Sequence, residues 1–288
     1  MKGPVRSGET SIGTEKESAL HQALKFRYTG VGGTTEHSLE GYVCDGIRDD
    51  GEIIEVQTGS FGPLKKKIPV LSARGRVRVI HPVTVVKYIE LLDEKGKPVY
   101  RRKSPRRGTE WDLFYHLLYA PELPLIPGLV IELALVDVLE RRTNDGKGSW
   151  RRGGASISGR ELAAWRGTIP LERPADYLRF VPFGGNDEFT VKDLAEKAGI
   201  NIPLAQKTLY VLLKMNVVER TGKKGKAFLY RAARGKTPRR GAGRKNGPPE
   251  PSGPADGLSG RNYQASEISS ASRLSSAKRS VTARRSSK

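Results

Sequence analysis

A single cysteine, Cys44, in 288 residues excludes an internal disulfide and any thiolate metal cluster. Its run, Gly41-Tyr42-Val43-Cys44, is flanked by apolar residues, which predicts a buried structural thiol rather than a nucleophile. No apolar stretch approaches the roughly 18 residues that read as a membrane span. Met1-Lys2-Gly3-Pro4 lacks the apolar core of a signal peptide, so a cytoplasmic protein without a membrane partner is expected. Paired histidines, a Gly-x-Ser-x-Gly elbow and a phosphate-cradling glycine-rich lysine loop are also missing. Zinc sites, hydrolase triads and P-loop chemistry therefore have no sequence support. Hydrophobic residues are scarce at 36%, which predicts that part of the chain does not fold.

Positive charge is abundant. Lys and Arg number 51 against 31 Asp and Glu, a net charge of +20. Such an excess gains most from a long polyanion, because each neutralised phosphate releases counterions. Duplex DNA is the expected partner and a nucleoid location follows from it. RNA is the second candidate, and a homodimer is compatible with the same composition.

The chain divides by composition. Residues 1–13 read as a loose polar arm, and 14–140 mix helical and strand patterns as an α/β or α+β domain does. Residues 141–171, rich in Arg, Gly and Ser, read as a basic connector, and 172–233 as a small helical module ending in a hairpin. The 234–288 tail holds 13 Lys and Arg against 3 acidic residues and one aromatic, Tyr263. Half of the charge excess lies there, in a segment too polar to offset its ordering entropy, so disorder and an electrostatic arm are expected.

Thr14 and Glu17 form a capping box ahead of the apolar stripe Leu20, Ala23 and Leu24, which predicts an amphipathic helix. Residues 39–47 and 52–58 alternate as strands around the turn signal Asp50-Gly51. On the second strand Ile54 and Val56 take one face, and Ile53, Glu55 and Gln57 the other. Asp45 can lie across from Glu55, and two converging carboxylates make an oxygen site for Mg²⁺ or Mn²⁺. A basic helix, Phe61-Gly62-Pro63-Leu64-Lys65-Lys66-Lys67-Ile68, follows.

That run of Asp45, nine residues, then Glu55-Val56-Gln57, between two helices, resembles the PD-(D/E)xK or restriction-endonuclease-like nuclease superfamily. The resemblance implies a mixed sheet flanked by helices and metal-dependent hydrolysis of DNA phosphodiester bonds. Asp45 and Glu55 would hold the metal, Gln57 would stand at the catalytic lysine position, and Glu17 would match a helix-borne acid of some members. Two departures stand out: Cys44 replaces the proline, and Gln57 lacks the charge that Lys65 or Lys66 could supply from the next helix. A degenerate nuclease fold that only binds DNA is the alternative.

The tract Arg101, Arg102, Lys103, Ser104, Pro105, Arg106, Arg107 reads as an exposed basic loop that contacts phosphate. The stretch 111–119 reads as an apolar helix with His116 in the core or at its rim. Further on, 190–199 reads as a capped helix that stops at Gly199, 203–215 as a second helix, and 217–220 and 227–231 as strands. That order resembles a winged helix-turn-helix domain. The resemblance implies Gln206, Lys207, Tyr210 and Lys214 at the major groove, and Lys223, Lys224 and Lys226 on the wing.

Overall fold

Ser18 caps the first helix: its side chain accepts from the His21 amide at 3.2 Å, and α1 runs over Ala19–Thr29. The computed structural model describes residues 18–233, which lie within one compact unit. The 1–13 arm, the Thr14–Glu17 capping box and the 234–288 tail lie outside the described residues.

After α1 come β1 (Thr34–Leu39), β2 (Tyr42–Ile47) and β3 (Ile53–Val56), an antiparallel meander. The β1–β2 turn uses Glu40 and Gly41, both at positive φ. Helix α2 (Leu64–Ser72) crosses over and β4 (Val77–Leu92) returns parallel to β3. Strand β5 (Pro98–Lys103) folds back on the outer half of β4. A short helix, α3 (Leu113–Leu117), precedes β6 (Leu129–Thr143), which lies parallel to β4, and β7 (Ser156–Leu171) closes the edge antiparallel to β6. The strand order is β1-β2-β3-β4-β6-β7, with β5 paired to β4. The architecture is thus α+β, a mixed sheet flanked by helices.

Strand β4 runs unbroken through Pro82, which falls where β4 has no strand partner on the β3 side. Between Gln57 N on Ile80 O and Gly108 N on Thr84 O, the missing proline N–H costs nothing. Arg101, Arg102 and Lys103 belong to β5, leaving 104–107 as the loop. Residues 156–171 are not a connector but the edge strand β7, whose residues alternate between half-buried and exposed because only one face meets the protein.

The remaining elements are α4 (Val191–Ala198), α5 (Ile202–Lys214), β8 (Val218–Lys224) and β9 (Ala227–Ala232). Thr190 and Asp193 close the capping box of α4, and Gly199 ends it at φ 64°. Two cores hold the fold. Leu20, Leu24, Ile54, Val56, Ile80, Ala134 and Val136 fill the α1 side of the sheet. The other face carries one continuous cluster from Ile53, Ile68 and Val79 through Phe114 and Phe180 to Leu209 and Leu212.

Phe180 is fully buried and meets Phe114 edge-on at 4.8 Å and Trp111 at 5.1 Å, within the cluster that also holds residues of the sheet and of α4 and α5. Phe180→Ala should cost about 3–5 kcal/mol. Because the core is shared, denaturant melts followed by circular dichroism and by tryptophan fluorescence should give one coincident transition.

Candidate active site

The β2–β3 ladder contains only two pairs, Gly46↔Ile54 and Ile47↔Ile53. Continued in register it would next set Asp45 opposite Glu55, and Cys44 would meet the amide of Val56. The strands part instead, and side chains fill the opening. Asp45 Oδ2 accepts the Val56 N–H at 2.6 Å, replacing the lost ladder bond. From α2, Lys67 Nζ donates to the Val43 carbonyl at 2.7 Å and to both oxygens of Glu55 at 2.7 and 2.6 Å. From α1, His21 Nε2 lies 3.2 Å and Lys25 Nζ 4.0 Å from Asp45 Oδ1. Lys25 also donates to Glu36 at 3.1 Å.

The two carboxyls are driven in opposite directions. Burial pushes Glu55 up to about 7, and the charge of Asp45 adds to that rise while Lys67 opposes it. Burial would raise Asp45 as well, but hydrogen bonds from His21 and the Val56 amide, with the charge of Lys25, hold it below its ordinary value. At neutral pH the site therefore holds one firmly ionised carboxylate beside one that titrates in the working range. Cys44, next in the chain, is a buried free thiol that donates to the His37 carbonyl and is raised by burial, as its sequence context implies.

The lysine at the site is neither Lys65 nor Lys66. Both are exposed, while Lys67 is turned inward. The helical period carries that signal: Lys67 lies three residues after Leu64 and four before Leu71, at the margin of the stripe Leu64, Ile68, Leu71 that α2 buries. His21 and Lys25 are readable in the same way, one turn apart and each beside a buried leucine.

Gln57 does not face Glu55; its Nε2 donates to the Ser60 carbonyl at 2.5 Å, and its own carbonyl takes the Nδ1–H of His81 at 2.6 Å. Glu17 lies outside the described residues. Arg101, Arg102, Lys103, Arg106 and Arg107 are all exposed. Gln206, Tyr210 and Lys214 form an exposed stripe along α5, and Lys207 lies over the Tyr115 ring at 5.7 Å. Lys223, Lys224 and Lys226 are exposed around the β8–β9 hairpin.

Among the described residues, no three His, Cys, Asp or Glu side chains gather as a metal cage. Asp45 and Glu55 nonetheless present the hard oxygen donors of a Mg²⁺-type ion, which commonly uses one or two carboxylates and keeps several waters.

Lys67→Met removes the charge that restrains Glu55, so the Glu55 value should rise by about one pH unit or more, read from its carboxyl ¹³C shift. The raised Glu55 of the native chain contributes stability below the unfolded carboxyl value and loses it as pH climbs through about 7. In the variant that loss continues to higher pH, so its stability deficit against the native chain should widen from about pH 6 to pH 9.

No helix among the described residues is long and apolar enough to cross a membrane. No solved structure matches the chain. An uncharacterized protein of Treponema pallidum (strain Nichols) is 28% identical over 222 residues, 77% of this chain and 87% of that one. A family model described as "Domain of unknown function (DUF8091)" matches residues 18–172, which contain the whole sheet and every residue of the carboxylate site. With more than half of its length matched, the chain belongs to the DUF8091 family.

Proposed function

We propose that this protein binds DNA and hydrolyses its phosphodiester bonds at Asp45, Glu55 and Lys67, with Mg²⁺ or Mn²⁺. The observation that carries the reading is the pair of oppositely shifted carboxyls, held with an ammonium group where β2 leaves β3. Buried carboxyls with opposed shifts cluster at functional sites. The order of helix, three-stranded meander, crossover helix and parallel strand agrees with the PD-(D/E)xK resemblance.

Asp45 and Glu55 would hold a divalent ion, and the chemistry it would supply is Lewis acidity toward a phosphoryl oxygen. Asp45 stays ionised and fixes the backbone of β3 through the Val56 amide. Glu55 takes the proton released as water adds its oxygen to phosphorus, and the sugar oxygen that departs with the bonding electron pair takes a proton from solvent water. Lys67 counters the negative charge that develops, the role the resemblance gave to the Gln57 position.

Affinity comes from the C-terminal module, read as a winged helix. The stripe Gln206, Tyr210, Lys214 on α5 lies in the major groove, and Lys223, Lys224 and Lys226 meet the backbone. One observation favours a purely binding role: Lys67 engages Glu55 and Val43 together, a staple that closes the strand opening whether or not chemistry occurs there.

Supercoiled plasmid should be nicked in Mg²⁺ or Mn²⁺, with a rate that rises as pH passes through about 7. Asp45→Asn and Glu55→Gln should each lower it by about a hundredfold or more. If nothing is cut while all three proteins bind duplex equally, the binding-only reading replaces the nuclease.

A further inference from the structure

Beyond the end of β3, the free edge of β4 forms one wall of a cavity of about 330 Å³. Thr58 and Leu20 line it, and each is one residue or a few along the chain from the carboxylate site, Leu20 beside His21 and Thr58 three after Glu55. Lys87, Arg106 and Arg160 line it as well. Of the two carboxylates that line it, Asp112 and Glu140, Glu140 is buried and already held. Arg142 donates twice to its Oε1 at 2.9 and 2.7 Å, Arg160 donates to Oε2 at 3.2 Å, and Lys87 lies 3.6 Å away. His81 and His116 add no charge: burial takes His81 down to about 4 and lowers His116 too. With Arg142, four cations stand against Glu140 and Asp112, so the cavity keeps a positive surplus.

The cavity also ends. The 106–108 loop crosses the β4 edge, pinned by Gly108 N on Thr84 O at 2.8 Å. A Cβ at Gly108 would come within 2.5 Å of that same oxygen, so the loop sits as close as a backbone can. Beyond it, Ser104 N bonds Lys87 O and β5 occupies the edge. Along the β4 edge the cavity therefore stops at the 106–108 loop instead of continuing as a groove.

We propose that this cavity holds the terminal phosphate monoester of a nucleic-acid strand, with Lys87, Arg106 and Arg160 as its ligands, an inference that rests on the nuclease reading of the adjoining site. A monoester carries about 1.5 to 2 negative charges at pH 7, more than the single charge of an internal diester, and matches the surplus. The chemistry is shared by 5′ and 3′ ends, and the experiment separates them.

Fluorescence anisotropy of the full chain without divalent ions would compare one duplex ending in 5′-phosphate, 3′-phosphate or hydroxyl groups. One phosphorylated form should bind about tenfold tighter than the hydroxyl form. Arg106→Ala and Arg160→Ala should each shrink that difference to about twofold or less, while Lys95→Ala, on an exposed turn outside the cavity, preserves it. Equal binding of all three ends, or a preference unchanged in the Arg106 and Arg160 variants, overturns the end pocket but leaves DNA binding standing. Absence of binding to every duplex overturns both readings.

Discussion

The site depends on one break in one ladder. After Gly46↔Ile54 the backbone of β2 no longer reaches β3, and the bonding groups left behind must be satisfied by something else. Asp45 takes the Val56 amide and Lys67 takes the Val43 carbonyl. Once Lys67 is drawn into the opening, Glu55 can remain buried beside it, because a buried carboxylate needs a partner in contact. Backbone satisfaction, charge burial and the paired titration are thus consequences of a single geometric event. Its position is set by α1 and α2, which bring His21, Lys25 and Lys67 against the two sides of the gap.

The rest of the sheet supports that opening from below. Glu52, buried at the start of β3, is held by Arg48, Arg76 and Arg78, and Arg78 also binds Glu132, which in turn accepts from Tyr28 of α1 at 2.6 Å. This network fixes the closed end of β3 while the other end parts from β2. Removing one member would strand a buried charge, so the network serves position more than net stability. On the opposite face the continuous apolar cluster fastens α4 and α5 to the sheet, so a surface on α5 is held in fixed relation to the carboxylates.

Much of this was legible in the residues. The hairpin around Asp50-Gly51, the buried thiol and the capping box of α4 all follow from local chemistry that the fold leaves intact. What failed did so where tertiary pairing overrides local pattern. Residues 156–171 look like a linker because an edge strand with one solvated face shows little apolar content until β6 is beside it. The lysine was misassigned within its own run: three consecutive lysines look alike by composition, and only the helical phase of Leu64, Ile68 and Leu71 separates Lys67 from Lys65 and Lys66. The β4-edge cavity was not legible at all, since Lys87, Arg106 and Arg160 come from three distant segments.

The central claim, that the parting of β2 and β3 builds a two-carboxylate site for a divalent ion, is tested most directly by Mn²⁺ binding. Electron paramagnetic resonance of the purified chain at pH 8 would count bound Mn²⁺ in the native protein, Asp45→Asn and Glu55→Gln. The account predicts a bound ion in the native chain that either substitution releases. Mn²⁺ that fails to bind, or that binds all three proteins alike, would contradict it.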